Sequence, residues 1–373
     1  MDFNLTEEQQ MLREGVRRFA SESYPFEARR RVLEGPLGFS AEHWQTFAEL
    51  GWLALGLPED VGGLGFSFLE TTLVMEELGR ALAPEPFVST AVLGSRIIDR
   101  SGVQSLRSTL LPQIAEGKLR LALAHSEAKS RYNLAAVSAT RARSTDEGYV
   151  IDGTKTLVVD APSAHQLIVS AATEEGFILL VVPRDAAGVR LQEYRLIDGS
   201  LAADVEFRGV RVPKAALLAQ AGRSLELLAE AVDRAILAAA AEAVGAMEGV
   251  LEITNAYLKQ RVQFGQTIGK FQALQHRMAE MFVELQESRS ILYRGLSLID
   301  ASAPQRKRAI SATKVVVSHA AKFVGSQGIQ LHGGIGMTEE YAVGHYYKKL
   351  ICFEKRFGDS EYHLERYQHN GAG

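Results

Sequence analysis

One arginine, four glutamines and two phenylalanines lie within fifteen consecutive residues, in the stretch RVQFGQTIGKFQALQ from Arg261 to Gln275. A guanidinium group can bind a pyrophosphate through two parallel hydrogen bonds, and an aromatic ring can cover an adenine or a ribose. The stretch therefore suits the tail of a nucleotide, and a polar turn between two helices is the alternative. The side chains concerned are Arg261, Gln263, Phe264, Gln266, Phe271, Gln272 and Gln275.

A glycine cluster follows in the stretch QGIQLHGGIGMTEEY, from Gln327 to Tyr341. Because Gly333, Gly334 and Gly336 carry no Cβ, their backbone N–H groups could face a phosphate at close range. We interpret His332 beside them as a loop residue that packs on the nucleotide, rather than as a base or a metal ligand. A plain loop between two helices is the alternative.

A third stretch, EKRFGDSEYHLER, follows the glycine cluster and carries several carboxylates around a single glycine. A turn of this kind, close to a glycine-rich region, could form the lip of an active site. Glu354, Asp359 and Glu361 are its candidates for moving a proton. The residue immediately before the glycine is Phe357.

Composition limits the remaining possibilities. The chain has 373 residues, 46% of them hydrophobic and 23% charged, so a water-soluble protein of two or three packed units is expected. A net charge of -4 without a long basic run argues against nucleic-acid binding. Nine histidines occur without a metal-binding spacing, so no metal site is predicted.

The single cysteine and the apolar segments bear on the compartment. Cys352 cannot form an internal disulfide, fits a reducing compartment, and is interpreted as a buried structural thiol. The N-terminus MDFNLTEEQQ is charged where a signal peptide needs an apolar core. The apolar stretch AILAAAAEAVGAM is interrupted by Glu242 and is shorter than the roughly 20 residues that span a bilayer. A cytoplasmic protein is expected.

The predicted secondary structure changes along the chain, from helices to strands and back to helices. A capping box at Thr6 and Gln9 begins the first helix, and the glycine-rich stretch EDVGGLG is predicted to let backbone approach backbone. Short runs rich in Val, Ile, Leu and Tyr between about Leu119 and Leu218 predict strands. The Asp152–Gly153 pair predicts a hairpin, and an antiparallel barrel or sandwich is expected. Afterwards, apolar residues recur at steps of three and four and predict two long helices. Their stripes contain Ala240, Ala243, Met247, Leu251, Thr254 and Leu258, and then Ile310, Val317, Ala321 and Val324.

The two glutamine- and glycine-containing stretches together resemble the acyl-CoA dehydrogenase family, and the resemblance covers essentially the whole chain. RVQFG followed by FQALQ matches the family's arginine signature, and Gln330 with the three glycines matches its Q-x-x-G-G-x-G signature. Further matching stretches are GWLALGLPEDVGGLG, EELGRALAP, LLPQIAEGK, GTKT and ADVEFRGVRVP.

That resemblance implies an α+β fold with an N-terminal α-helical domain (1–118), a middle antiparallel β-barrel (119–218) and a C-terminal four-helix bundle (219–373). It also implies an acyl-CoA substrate, electron-transfer flavoprotein as acceptor, and FAD bound across a subunit interface in a dimer or dimer of dimers. The flavin would lie on one chain's β-domain while the neighbouring chain holds the adenosine pyrophosphate. The residues that would serve a neighbour's FAD are Arg261, Gln263, Phe264, Phe271, Gln272, Gln330, Gly333 and Gly334.

The sequence departs from the family at the catalytic base. The family's α,β-dehydrogenation needs a carboxylate that removes the α-proton while the β-hydrogen leaves as hydride to the flavin. Most members provide a Glu in an E-G-[TS] turn, and this turn aligns with FGDS, so Phe357 stands at the base position. Other members use the first long C-terminal helix, where Ala235 aligns. Asp233 could serve there only if the helix were shifted.

The predicted flavin pocket differs as well. Lys129, Arg131 and Tyr132 are bulky residues where the family has small ones, and Leu157 and Val159 replace a flavin-covering Trp and a hydroxyl residue. The chain thus resembles the non-catalytic subunit of the heteromeric α2β2 acyl-CoA dehydrogenases of bacterial steroid side-chain degradation. We therefore hypothesise a companion subunit that lacks a catalytic base and forms a hetero-oligomer with a Glu-bearing paralogue. One alternative is a self-sufficient homodimer or homotetramer whose base is Asp233, Glu354, Asp359 or Glu361. Another is a non-enzymatic acyl-CoA binder or assembly scaffold.

Overall fold

The computed structural model describes residues 4–370. The first part of the chain is helical, as predicted, and its first helix begins with the capping box formed by Thr6 and Gln9. Its α-helices are α1 (Glu7–Ser23), α2 (Phe26–Glu34), α3 (Ala41–Glu49), α4 (Phe68–Arg80), α5 (Ser95–Arg100) and α6 (Gln104–Ala115).

Eight strands follow and form one sheet. They are β1 (Leu121–Ala124), β2 (Arg141–Ser144), β3 (Gly148–Val159), β4 (Gln166–Thr173), β5 (Gly176–Pro183), β6 (Val189–Arg195), β7 (Leu201–Pro213) and β8 (Leu217–Ala219). Seven of them pair in the order β6-β7-β3-β2-β4-β5-β8, and β1 pairs with β4. One face buries an aliphatic core that includes Ile151, Leu167 and Leu180.

The prediction of an antiparallel barrel needs correction. The pairs β1–β4 and β2–β4 are parallel, so the sheet is mixed, and among residues 4–370 no pairing between β6 and β8 closes it. The predicted hairpin at Asp152–Gly153 is also wrong, because β3 continues through it with a bulge. Gly153 has φ +138°, and a Cβ there would meet the Thr140 Cα at 2.4 Å. The glycine therefore serves a close approach within the sheet.

The chain after the sheet is helical again. The helices are α7 (Ala221–Gln260), α8 (Gln272–Ser297), α9 (Ala303–His332), α10 (Ala342–Lys355) and α11 (Ser360–His369), with a small hairpin of β9 (Val262–Gln263) and β10 (Gln266–Thr267). The predicted stripes of α7 and α9 are buried, apart from the half-buried Leu251. Among residues 4–370, no helix is long and apolar enough to cross a membrane.

Contacts divide the chain into two compact units. The sheet unit comprises Val32–Ser67 and Pro84–Ala235, and the bundle unit comprises the described residues up to Arg31, Phe68–Ala83 and the described residues from Ile236. This division splits the N-terminal helices between the units and differs from the three predicted ranges, whose bounds stay a prediction. In the sheet unit, a Cβ on Gly63 would lie 2.0 Å from the Leu57 carbonyl oxygen, which confirms the predicted backbone approach.

Glycines also let two helices of the bundle unit touch. A Cβ on Gly245 of α7 would lie 1.7 Å from the Glu76 carbonyl oxygen of α4, and one on Gly79 of α4 would lie 2.0 Å from the Glu242 carbonyl oxygen. Neither backbone can move aside without distorting its helix. The crossing of α4 and α7 therefore depends on both glycines.

We predict that Gly245→Ala lowers the free energy of unfolding by about 1–3 kcal/mol, because the added methyl group forces α4 and α7 apart. Gly222→Ala is the control, since Gly222 lies on the same helix with open space around it and alanine is the better helix former. Urea unfolding of both variants measures the difference. Equal stability of Gly245→Ala and the wild type would contradict the packing described.

Candidate functional site

The predicted nucleotide-binding stretch forms the β9–β10 hairpin, whose two-residue turn presents an aromatic ring to solvent. Phe264 and Gly265 have φ angles of +52° and +78°. Positive φ at both positions is the type I′ hairpin geometry, which is strained at a residue with a Cβ. The Phe264 side chain is 90% exposed and lies edge-on to Phe271, with ring centroids 6.1 Å apart. A strained residue that displays its ring in this way suits a contact made outside the chain.

The glycine cluster lies beside this hairpin within the bundle unit. Gly333 ends α9 with φ +63° and ψ -140°, a conformation that favours glycine, and a Cβ on Gly333 or Gly334 would meet no atom within 4 Å. A Cβ at position 334 would therefore clash with no other part of the described chain. Packing within that part does not explain why this position is a glycine. The buried ring of His332 lies 4.6 Å from that of Tyr257, in the last turn of α7, and links the two stretches.

The predicted cofactor residues are therefore brought together on one surface of the bundle unit, which we call the clamp. Arg261, Gln263, Gln272 and Gln330 have exposed side chains, and Gly333 and Gly334 are exposed as well. The prediction that His332 is a loop residue is wrong, because it is the last residue of α9 and is buried against Tyr257 and Tyr341. Its predicted packing on a nucleotide stays a prediction.

In the sheet unit, a buried ion pair holds the loop that contains SEAKSRYN. The Lys155 ammonium group is fully buried and donates to a Glu127 carboxylate oxygen at 2.8 Å, the His125 carbonyl oxygen at 3.1 Å and the Ser170 hydroxyl at 2.9 Å. The Glu127 carboxylate also accepts hydrogen bonds from the backbone N–H groups of Ser138, Ala139 and Thr140 at 2.8–3.0 Å. Glu127 lies near the start of the loop and its carboxylate binds backbone N–H groups at the end of the loop. This one side chain therefore ties the two ends together.

The pKa values of both groups in this ion pair are shifted from their ordinary values. Burial alone raises the pKa of Glu127, but the hydrogen bonds from Lys155 and the three backbone amides outweigh it and lower the pKa to about 2. Burial lowers the pKa of Lys155 to about 8, although Glu127 opposes that effect. Glu127 is therefore a structural anion at neutral pH and not a proton acceptor.

The side chains on this loop and on strand β3 differ from those of a polar cofactor pocket. Lys129 and Arg131 are exposed, and Arg131 has φ +44°. Leu157 has φ +52° and a side chain that is 52% exposed, and its N–H donates to Asp204 at 3.0 Å. Neither Leu157 nor Val159 has a side chain that can donate a hydrogen bond.

The turn that contains Phe357 is held from inside the bundle unit. The Lys314 ammonium group, on α9, donates to the carbonyl oxygens of Phe353, Glu354 and Arg356, the last at 2.9 Å, and lies 3.9 Å from the centre of the Phe353 ring. Phe357 has φ +61° and its carbonyl oxygen lies 3.1 Å from His363 Nε2. Burial lowers the pKa of Lys314 to about 7.

His363 completes this support. Its ring is fully buried, and Nδ1 lies 3.2 Å from the Ser311 hydroxyl. Because a carbonyl can only accept, Nε2 carries the proton, and Nδ1 accepts from Ser311. Burial lowers the pKa of His363 to about 3, which keeps the ring neutral. The backbone of the turn is therefore held by hydrogen bonds that do not involve the Phe357 side chain.

The candidate carboxylates around Phe357 have structural roles or lie in solvent. Asp359 caps α11 by accepting from the Tyr362 N–H at 3.1 Å, and its carboxylate lies 3.8 Å from Lys355. Glu354 pairs with Lys355 at 2.8 Å. Glu361 is exposed in the first turn of α11. Asp359 and Glu354 are thus engaged in a helix cap and an ion pair, and Glu361 faces solvent.

Asp233, the fourth candidate, lies on the part of α7 that belongs to the sheet unit and is fully buried. Its neighbour Arg234 donates to Glu230 at 2.8 Å, and Glu230 also accepts from Arg96 at 2.7 Å. Burial opposes ionisation of Glu230, yet the two arginines lower its pKa to about 2.

Sequence reasoning missed Lys314, His363 and the structural role of Glu127. The sequence does contain a signal for Lys314. This lysine lies four residues after Ile310 and three residues before Val317, which places it on the buried stripe of α9. Lysines at such positions are rare without a partner. His363 and Glu127 lie far in sequence from Ser311 and Lys155, and no local pattern indicates those contacts.

Comparison with known proteins agrees with this architecture. Residues 6–118, 122–210 and 225–371 match the family models for the acyl-CoA dehydrogenase N-terminal, middle and C-terminal domains. These matches cover most of the chain, which therefore belongs to the acyl-CoA dehydrogenase family. Members of this family are FAD-dependent flavoprotein oxidoreductases that act on acyl-CoA thioesters in fatty acid or steroid β-oxidation.

Three proteins are similar to this chain over nearly its whole length. Acryloyl-CoA reductase (NADH) of Anaerotignum propionicum is 29% identical over 373 residues, which span 97% of this chain and 94% of the relative. A variant of the Tcur3481-Tcur3483 steroid ACAD is 28% identical with a TM-score of 0.88, covering 98% of this chain and 97% of the other. The ChsE4-ChsE5 complex of Mycobacterium tuberculosis is 25% identical with a TM-score of 0.90, covering 99% and 98%.

The clamp fits the nucleotide part of FAD. Arg261 offers a guanidinium to the pyrophosphate, the glutamines offer amides, and the open space at Gly333 and Gly334 leaves room for a phosphate beside the backbone. In the sheet unit the backbone framework is present, but Leu157 and Val159 offer no polar contact to a flavin. Bound FAD would supply the hydride acceptor of the family's reaction.

We predict that Glu127→Gln lowers the free energy of unfolding at pH 7 by about 3–5 kcal/mol, because it leaves the buried Lys155 charge unpaired. The pKa of Glu127 is about 2 in the folded chain against an ordinary value of 4.5, so its stabilising effect is present above pH 4.5 and is lost as the pH falls towards 2. The stability gap between variant and wild type should therefore close over that acidic range.

Denaturant unfolding at several pH values measures the gap. Glu147→Gln removes an exposed carboxylate of the same sheet unit and should change stability by less than about 0.5 kcal/mol at pH 7. A gap for Glu127→Gln that stayed constant from pH 7 to acid would show that the ion pair does not hold the loop.

Proposed function

We propose that this chain is a companion subunit of a hetero-oligomeric acyl-CoA dehydrogenase, which lacks the catalytic base and completes the FAD site of a Glu-bearing partner. The observation that carries the proposal is Phe357. Its backbone turn is built and supported by Lys314 and His363, yet the side chain at the base position cannot accept a proton.

The lack of a substitute base supports the proposal. Asp359 is a helix cap, Glu354 is paired with Lys355, and Glu361 is exposed on α11. A general base needs access to the α-proton and a pKa suited to accept it. In the family's second location, Ala235 stands where a Glu would be needed, and the neighbouring Asp233 is fully buried.

The contrast between the clamp and the flavin pocket also supports it. The clamp has the residue types and the open space that a nucleotide needs, and most of its residues are exposed. The pocket carries Leu157 and Val159 in place of polar or aromatic groups. A chain that serves only a partner's FAD must keep the clamp, whereas its own pocket can change.

The relatives support the assembly and the substrate class. The ChsE4-ChsE5 structure is a complex of two differently named chains, and the Tcur3481-Tcur3483 protein is called a steroid ACAD. We infer a hetero-oligomer of this kind that acts on a bulky acyl-CoA such as a steroid side-chain thioester. Electron-transfer flavoprotein would accept the electrons, and the cytoplasm would be the compartment.

The test is to purify the chain alone and after co-expression with a Glu-bearing paralogue. Alone, the chain should show little visible flavin absorbance and no acyl-CoA dehydrogenation, and the pair should show both. Arg261→Gln should lower the FAD content of the pair, because the pyrophosphate loses its bidentate partner. Arg18→Gln, which changes an exposed arginine outside the clamp, should leave the FAD content unchanged.

The self-sufficient alternative makes the opposite prediction. Rapid dehydrogenation by the pure homo-oligomer with bound FAD would overturn the companion role. A pair whose FAD content does not depend on Arg261 would overturn the role of the clamp.

A further inference from the structure

Three nitrogen-rich side chains meet at one end of the sheet, away from the loop that Glu127 closes. Arg120 directly precedes β1, His165 directly precedes β4, and Arg184 directly follows β5. All three belong to the sheet unit. Because β4 lies between β1 and β5, the strand order brings the three residues to the same edge.

Backbone carbonyl groups hold the two arginines in place. Arg120 Nε donates to the Ser163 carbonyl oxygen at 2.8 Å, and Arg184 Nη1 donates to the Pro162 carbonyl oxygen at 2.8 Å. The Arg120 guanidinium also lies over the Phe39 ring, 5.3 Å from its centre. These contacts leave further N–H groups on both guanidiniums.

The histidine adds another donor directed at the same place. The Arg120 backbone N–H donates to His165 Nδ1 at 3.0 Å, so in the neutral ring the proton lies on Nε2. That Nε2 lies 3.3 Å from Arg120 Nη2, which also carries hydrogens. Two donors cannot bond to each other. An acceptor between them would satisfy both.

The two arginines of this cluster have no carboxylate partner in the described part of the chain, unlike three other half-buried arginines. Arg96, Arg107 and Arg289 each have a carboxylate partner within 3.0 Å. Among residues 4–370, no carboxylate lies within 4 Å of the Arg120 or Arg184 side chain, although Asp185 is next in sequence and exposed. Burial first, and then the charge of Arg184, lower the pKa of Arg120.

We propose that Arg120, His165 and Arg184 form a binding site for a phosphate group. A phosphate presents several acceptor oxygens in a tetrahedral arrangement, which suits two guanidiniums and one imidazole that approach from three strand ends. It also supplies the negative charge that the cluster lacks. Free inorganic phosphate and a phosphate of the CoA moiety share this chemistry, and the site does not depend on the companion role.

The protonation of His165 gives a direct readout. Burial, Arg120 and Arg184 lower the pKa of this imidazole, and these two cations are the charged groups that act on it. A bound phosphate dianion opposes all three effects, so the pKa of His165 should rise towards or above its ordinary value. NMR titration of the histidine ring protons of the full chain measures this in chloride and in inorganic phosphate of equal ionic strength.

Three variants test whether phosphate binds at this cluster. Arg184→Gln should weaken phosphate binding by roughly tenfold or more, the cost of losing one charge-assisted hydrogen bond. Arg211→Gln is the control, because Arg211 is an exposed arginine of β7 in the same unit. His165→Asn removes the NMR signal and identifies it, and thermal unfolding confirms that each variant is folded.

Parallel titrations with CoA and dephospho-CoA distinguish the sources. A response to inorganic phosphate alone assigns the site to a free phosphate, and a response to CoA that dephospho-CoA does not reproduce assigns it to the 3′-phosphate. The proposal is overturned if the pKa of His165 responds to none of these ligands, or if Arg184→Gln binds phosphate as tightly as Arg211→Gln does.

Discussion

The buried ammonium group of Lys314 is the contact on which the turn at Phe357 depends. It lies inside the bundle unit, is 1% exposed, and binds three backbone carbonyl oxygens at the end of α10. A helix end leaves its last carbonyls without partners, and a cation there both satisfies them and opposes the negative end of the helix dipole. The hydrogen bonds that Lys314 and His363 make to the turn go to backbone carbonyl oxygens and do not involve the side chain at position 357.

Lys155 has the same role in the sheet unit. Its ammonium group and Glu127 hold a loop by backbone groups, while Lys129 and Arg131 on that loop extend into solvent. In each unit, therefore, a buried lysine holds a loop or turn by its backbone groups. Under the proposed companion role, this is how the chain would keep the family's fold while the side chain at position 357 changed.

Local patterns were enough to predict the helical parts of the fold. The capping box at Thr6 and the apolar stripes of α7 and α9 depend on residues a few positions apart, and the structure contains them. The sheet was harder, because the parallel pairing of β1 with β4 joins residues more than forty positions apart. The Asp152–Gly153 signal was misleading, since glycine allows a bulge as readily as a turn.

The candidate site shows the same limit. The clamp could be predicted because Arg261 and the glycines lie in two continuous stretches, and the structure brings them together. Contacts such as Glu127 with Ser138 and Lys155, or His363 with Ser311, depend on the folded chain and leave no periodic signal. Phe357 could be recognised only by resemblance, because a phenylalanine before a glycine has no special chemistry of its own.

The most direct test of the account is the amount of flavin per chain in the purified hetero-oligomer, determined from visible absorbance and total protein. If this chain completes a partner's site without holding a flavin in its own sheet unit, the complex contains one FAD for each pair of unlike chains. One FAD for every chain, with dehydrogenation by this chain alone, would contradict the account.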